Sequence, residues 1–309
     1  MEYIDFRTDN NRLADKVYEH LALPESTFLG TRITKKMILE NNDLSNNDKK
    51  LVADVIQSIV WQNTLKPETL NVPVYVTETV EYIEIAVIRV VLKNVDNENI
   101  SQKKSKLKNV VKLLHTLIPY PIILLLELGD NVAISLADKR INQADKTKLV
   151  IEHIYKTDWL ESVNLTNNDN YFLNDFSLKN ISNINYLEFY QDLISMLIGI
   201  EVSKISGRYV SKIDSPQIIS ENSNDSGFEF REEKQIYGTL TPTETAFSFV
   251  EKSNEDKTAL LRELEGLEAE LSSIRSKIKK ETQMNTKMRL NVQARKVKQA
   301  ISAITSQLA

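Results

Sequence analysis

IILLLELGDNVAISL, residues 122–136, decides the fold. Ile122 to Leu128 is apolar except for Glu127, and a run this short and branched reads as a buried strand rather than a helix. Gly129-Asp130-Asn131 then supplies a tight turn, and Val132 to Leu136 returns as an antiparallel partner.

The elements on either side extend this sheet. Ser105 to Leu117 carries Leu107, Val110, Val111, Leu114 and Leu117 at helical spacing and stops at Pro119-Tyr120-Pro121. Before it, YIEIAVIRVVL, residues 82–92, is a long central strand whose only charges are Glu84 and Arg89. Val72 to Val76 is a short strand. Ser45-Asn46-Asn47-Asp48 has capping-box form and opens an expected helix from Lys49 to Trp61, with Leu51, Val55, Ile56, Ile59 and Val60 as its apolar face. Lys66-Pro67-Glu68-Thr69 stops that helix and turns the chain. Leu149 to Tyr155 adds a strand, and Tyr186 to Val202 a helix. The order predicts an α+β core over residues 1–204, a mostly antiparallel sheet with helices packed on one face. Residues 205–250 read as a linker, partly disordered or packed on the core. Its stretch from Glu221 to Gly227 lacks the apolar surface that offsets ordering entropy.

Residues 251–309 differ in kind. Leu260, Leu264, Leu267, Leu271, Ile274 and Ile278 alternate spacings of four and three, as do Leu290, Ala294, Val297, Ile301, Ile304 and Leu308. This is the seam of a coiled coil. Continuing the first register would bring Glu281, Asn285, Val292 and Arg295 into the seam, so the stripes are out of step. A helical hairpin turning within Glu281 to Lys287 is the expected form, since it lets each helix cover the other. One long helix with a stutter is the alternative. Between residues 275 and 298 stand nine bases, Arg275, Lys277, Lys279, Lys280, Lys287, Arg289, Arg295, Lys296 and Lys298, against one acid, Glu281. That concentration makes the tip a candidate nucleic-acid contact, and the seam a docking device for a protein partner or a second copy.

Composition narrows the chemistry. The 309 residues are 41% hydrophobic and 27% charged with a net charge of −4, ordinary values for a globular protein without bulk basicity. There is no cysteine, which excludes disulfides, thiolate catalysis and thiolate-bound metals, and fits a cytoplasmic location. The N-terminal residues lack the apolar run of a signal peptide. The most apolar segment, Leu117 to Leu128, falls short of the ~20 residues a bilayer span needs. His20, His115 and His153 show no metal-ligand spacing, and no phosphate-cradling or nucleophile motif occurs. No catalytic residue, metal or cofactor is therefore expected. Lys35, Lys66, Arg89 and Lys139 are candidates for a phosphate-binding face on the core. A divergent Mg²⁺-dependent nuclease stays open as an alternative if Glu78, Glu81, Glu84, Glu127, Asp130 and Asp138 converge. So does a stand-alone DNA-binding regulator.

An ordered set of short motifs carries a resemblance. It comprises Ile33-Thr34-Lys35, Trp61, Leu65 to Asn71, Glu84-Ile85, Ile118-Pro119, Pro121-Ile122-Ile123, Ala137-Asp138-Lys139 and Thr157-Asp158-Trp159. Over about residues 20 to 200 it resembles the bacterial domain-of-unknown-function 4391 family. Lys279-Lys280-Glu281, Asn285 and Leu290-Asn291 look like that family's C-terminal tail. Members tend to be encoded beside DNA methyltransferases and superfamily-two helicases in restriction-like or antiphage islands. The resemblance implies a non-catalytic accessory or scaffold subunit of a DNA-directed defence complex, docking a helicase or methyltransferase.

Overall fold

The computed structural model describes residues 12–40, 44–94, 99–146, 148–211 and 252–308. The chain divides into two units, Met1–Ser203 and Lys204–Ala309. The expected linker falls mostly on residues 212–251, outside the described residues.

The first unit is built on a seven-stranded mixed sheet. In chain order its strands are β1 (Phe28–Ile33), β2 (Ile56–Leu65), β5 (Ile85–Leu92), β6 (Ile122–Leu128), β7 (Asn131–Ile141), β8 (Leu149–Lys156) and β9 (Leu160–Glu161), while β3 (Tyr75–Val76) and β4 (Glu81–Tyr82) form a separate ribbon. The spatial order is β1-β2-β5-β6-β7-β8, with β9 also on β7. Every pair is antiparallel except β5–β6. Parallel neighbours need a crossover, and α5 (Ile100–Leu117) supplies it. β6 and β7 are joined by the two residues between Leu128 and Asn131, and Gly129 has φ +61°, as the first central position of a type II′ turn requires.

Helices cover both faces of the sheet, rather than the one expected. Ile88, Val90, Leu92, Leu124, Leu126 and Ala133 pack with Leu107, Val110, Val111 and Leu114 of α5 and with Val52 of α3 (Asn46–Asp54). The alternate residues point the other way, toward α1 (Leu13–His20) and α7 (Tyr186–Ser206). There Arg89 reaches Asp15 of α1, and Tyr190 of α7 donates to the Ile122 carbonyl while accepting from the Ala137 N–H. The reason lies in the strands. β5 and β6 are apolar at nearly every position, so both of their faces demand cover.

The helix expected from Lys49 to Trp61 is shorter, and its second half is a strand. α3 starts where the sequence places it, with Ser45 Oγ accepting from the Asp48 N–H, but it ends at Asp54. Ile56–Leu65 is β2, paired with β5 through Ile59 opposite Val90 and Trp61 opposite Ile88. Its register shifts between Ile56 and Ser58 and again between Trp61 and Asn63. The first bulge sets Ile56 and Ile59 three residues apart on one face, which imitates helical spacing. The second turns Asn63 to the opposite face, where it accepts from the Tyr18 hydroxyl of α1 at 2.6 Å. Lys66-Pro67-Glu68-Thr69 thus ends a strand and opens the one-turn helix α4 (Pro67–Leu70). α2 (Lys35–Glu40) and α6 (Asn167–Asp175) are the remaining α-helices of the unit among the described residues.

In the second unit α8 (Asn254–Lys280) and α9 (Met284–Leu308) form the expected hairpin, turning at Glu281 to Gln283. Leu271, Ile274, Ala294 and Val297 form its centre, flanked by Leu267, Ile278, Leu290 and Ile301. The two stripes mirror each other about residue 284. Ile278 and Leu290 lie six residues either side, and Leu271 and Val297 lie thirteen. An antiparallel fold-back therefore matches the seam layer by layer, and the Glu281 carboxylate accepts the Thr282 and Gln283 N–H groups in the turn.

Candidate functional site

The nine bases of the arm's distal half are all exposed, and none has an ion-pair partner among the described residues. The helices explain the display. With the seam residues at heptad positions a and d, the bases fall at the outer positions, apart from Lys287, which lies at an a position beyond the last packed layer and is exposed. In an antiparallel pair, e positions of the two helices share one side and g positions the other. Lys277, Lys280, Arg289 and Lys296 occupy the g and c side. Arg275, Lys279, Arg295 and Lys298 occupy the e and b side. Four exposed ammonium and guanidinium groups in the distal half of one side of a rod, none ion-paired among the described residues, can track a phosphate backbone.

The core cations do the opposite. Arg89 donates through Nε to Glu127 and through a guanidinium nitrogen to Asp15 at 2.6 Å. Glu127 is only 2% exposed, and these two carboxylates hold the Arg89 guanidinium charged, raising its pKa above the ordinary value. Lys66 faces Glu84 at 3.8 Å. Lys35 donates to the Ala53 carbonyl at the end of α3, beside Lys93, which donates to the same oxygen. Lys139 is 6% exposed and donates to the carbonyls of Ile118 at 2.6 Å and Tyr120 at 2.7 Å. It lies on the α5 face of the sheet, opposite Arg89. The expected phosphate-binding face of Lys35, Lys66, Arg89 and Lys139 therefore does not assemble: strand alternation separates Arg89 from Lys139, internal acceptors take both of those, and Lys35 and Lys66 meet a carbonyl and Glu84 at the surface.

The carboxylates weighed for a nuclease are likewise dispersed. Glu84 meets Lys66, Glu127 meets Arg89, and Asp138 accepts from Tyr155 and Gln191. Among the described residues no three His, Asp or Glu side chains gather to hold a metal ion. Trp61 lies in β2, not at the end of a helix, and donates to Thr64 Oγ1 at 2.9 Å. Trp159 donates to the Lys103 carbonyl.

Lys139 has a measurable consequence. Its burial pulls the ammonium pKa down to about 7, against about 10.4 in an unfolded chain. Between those values the unfolded chain binds more protons than the folded one, so this residue makes stability rise with pH across that window. Urea titration of the wild type should show a gain on the order of 2–3 kcal/mol from pH 7 to 9.5 from this group, and Lys139→Met should flatten that rise. Next to it, His115 Nε2 lies 3.0 Å from Ser135 Oγ, whose single hydrogen goes to the Tyr155 carbonyl. Nε2 must then be the donor. Burial, and secondarily Lys139, push the His115 pKa down and keep the ring neutral.

One surface feature escaped the sequence reading. Met284, Met288 and Val292 are 70%, 59% and 57% exposed and follow one another at spacings of four along α9. They lie outside the seam register, and that is the signal that could have found them.

Among the described residues no helix is long and apolar enough to cross a membrane. A family model described as a domain of unknown function, DUF4391, matches residues 21–239, spanning the core from β1 to α7 and stopping short of α8. No curated protein and no solved structure matches the chain.

Proposed function

The chain belongs to the DUF4391 family, and we propose that it is a non-catalytic accessory subunit of a DNA-directed antiphage defence complex. In this reading the α+β core docks a helicase or methyltransferase subunit, and the two-helix arm lays its basic side on the phosphate backbone of nucleic acid. The observation that carries it is the contrast in how cations are used. Arg89 and Lys139 are held by internal acceptors, and Lys35 and Lys66 by a carbonyl and a carboxylate at the surface, whereas Lys277, Lys280, Arg289 and Lys296 stand exposed and unpaired among the described residues on one side of the arm. The methyltransferase and helicase association comes from the genomic neighbourhood of the family that the sequence resembles, and is an argument by association. The nuclease reading needs carboxylates that converge, and among the described residues no three do so. The test is fluorescence anisotropy of the full chain on labelled duplex DNA, with the four bases of the g and c side intact or replaced by alanine. Binding that requires those bases supports the reading, and binding indifferent to them removes it.

A further inference from the structure

We infer that the outer face of the β3–β4 ribbon is the surface of the core on which a partner protein docks, and that the partner presents a basic amphipathic helix to it. This rests on the reading of the core as a docking subunit, and names the surface and the chemistry of what it meets.

The ribbon has two unlike faces. Tyr75 pairs with Tyr82, so their side chains share one face, and Tyr82 is 2% exposed with its ring 5.6 Å from that of Tyr190 on α7. Alternation sends Val74 and Val76 on one strand, and Glu81 and Ile83 on the other, to the opposite face. That face meets solvent, since Val74, Val76 and Ile83 are 45%, 55% and 46% exposed. The Tyr186 N–H donates to the Pro73 carbonyl, which brings the chain at Ile184, 69% exposed, alongside the ribbon. Single exposed apolar side chains are ordinary, but neighbouring ones on a sheet face open to water mark a contact surface.

Charge specifies the partner. Glu81 lies directly opposite Val76 and is exposed. Glu78 stands in the turn closed by the Thr77 N–H and the Val80 carbonyl, and Glu188 in the first turn of α7, four residues after Ile184; both are exposed. None of these three carboxylates has an ion-pair partner among the described residues. The adjoining bases are largely taken. Lys66 faces Glu84 at 3.8 Å, Lys148 faces Asp145 at 3.1 Å, and Arg140, next to the Ile141 N–H that donates to the Thr79 carbonyl, pairs with Glu152. Lys146, further along the β7–β8 connection, is unpaired among the described residues, so the edge keeps an excess of acid. An apolar patch edged by unpaired carboxylates complements apolar side chains flanked by lysine or arginine. The same patch on a second copy is disfavoured, because a two-fold axis through it sets Glu78 and Glu81 near the acids of the other copy.

The spacing suits a helix. Val74 and Val76, two residues apart on an extended chain, are separated by about 7 Å, and side chains at i and i+4 of a helix by about 6 Å along its axis. One turn of a helix therefore covers both valines, and Ile83 lies one strand away, about 5 Å, under the i+3 position. Bases flanking those positions reach Glu81 and Glu78 at the turn end of the ribbon and Glu188 at the other.

Fluorescence anisotropy of the full chain with a labelled model helix tests this at low salt. The probe is a peptide of about 15 residues with leucine at i, i+3, i+4 and i+7 and lysine elsewhere. It is expected to bind. Val76→Ser with Ile83→Ser should weaken binding about 30-fold, and Glu78→Lys with Glu81→Lys roughly 10-fold. All four positions are exposed, so circular dichroism should stay unchanged. A peptide that does not bind, or binding indifferent to either pair of substitutions, overturns the inference. So does a dimer of the full chain in sedimentation equilibrium that Val76→Ser with Ile83→Ser dissociates, which assigns the patch to a second copy. Because peptide binding is read here and duplex DNA binding is read for the arm, either proposal can fail alone.

Discussion

Arg89→Met should destabilise the first unit by roughly 3–5 kcal/mol, a third or more of what a domain of this kind has to lose. Glu127 is 2% exposed on β6, and Arg89 is its close partner. Without the guanidinium, the ion-pair partner left to Glu127 among the described residues is Arg12 at 3.9 Å, a side chain 65% exposed and screened by water. Asp15 loses its contact as well, so α1 loses one polar tie to the sheet and keeps the Tyr18–Asn63 hydrogen bond. The loss comes from leaving a buried charge uncompensated, not from any intrinsic strength of the pair. Adding Glu127→Leu to Arg89→Met should recover most of it, since two apolar side chains can fill the space between β5 and α1 with no charge to desolvate. Urea unfolding of wild type, single and double variants checks both parts. A single variant as stable as wild type would mean that water reaches Glu127.

The second large effect is on binding. Replacing Lys277, Lys280, Arg289 and Lys296 by alanine should weaken duplex DNA binding by roughly 10²–10³-fold at 50 mM salt, because four phosphate contacts and their released counterions are lost together. Alanine is the best helix former, and all four positions are exposed, so the arm should stay folded. The seam residues, from Leu264 to Ile304, are untouched.

How far the sequence disclosed this molecule depends on whether a signal was local. β5, β6, β7 and the hairpin were legible because each carries its own period: unbroken apolar runs, a Gly-Asp turn, two stripes at three-four spacing. The cover on both faces was implicit in those runs, but it needed the rule that strands apolar at every position are buried on both sides. β2 was misread because its bulges change which residues point inward, and a period-two pattern with an inserted residue looks helical around Ile56 and Ile59. β1 was missed for a different reason. It is an edge strand with its residues largely exposed, so burial left no pattern on Phe28 to Ile33. At the site, the contents of the tip were readable from charge alone. Pairing was not, because it depends on non-local register. Nothing in the sequence says that Arg89 on β5 lies within reach of Glu127 on β6, or that Lys139 finds two carbonyls after Leu117, and these contacts take those two cations out of a phosphate-binding face.

The proposed role has the arm, and not the core, meeting nucleic acid. It is tested most directly by titrating the duplex affinity of the full chain against salt. The wild type should show log affinity falling linearly with log salt, and the four-alanine variant should fall with a slope shallower by about 3 to 4. A wild type without affinity at low salt, or a variant with the wild-type slope, would contradict the claim.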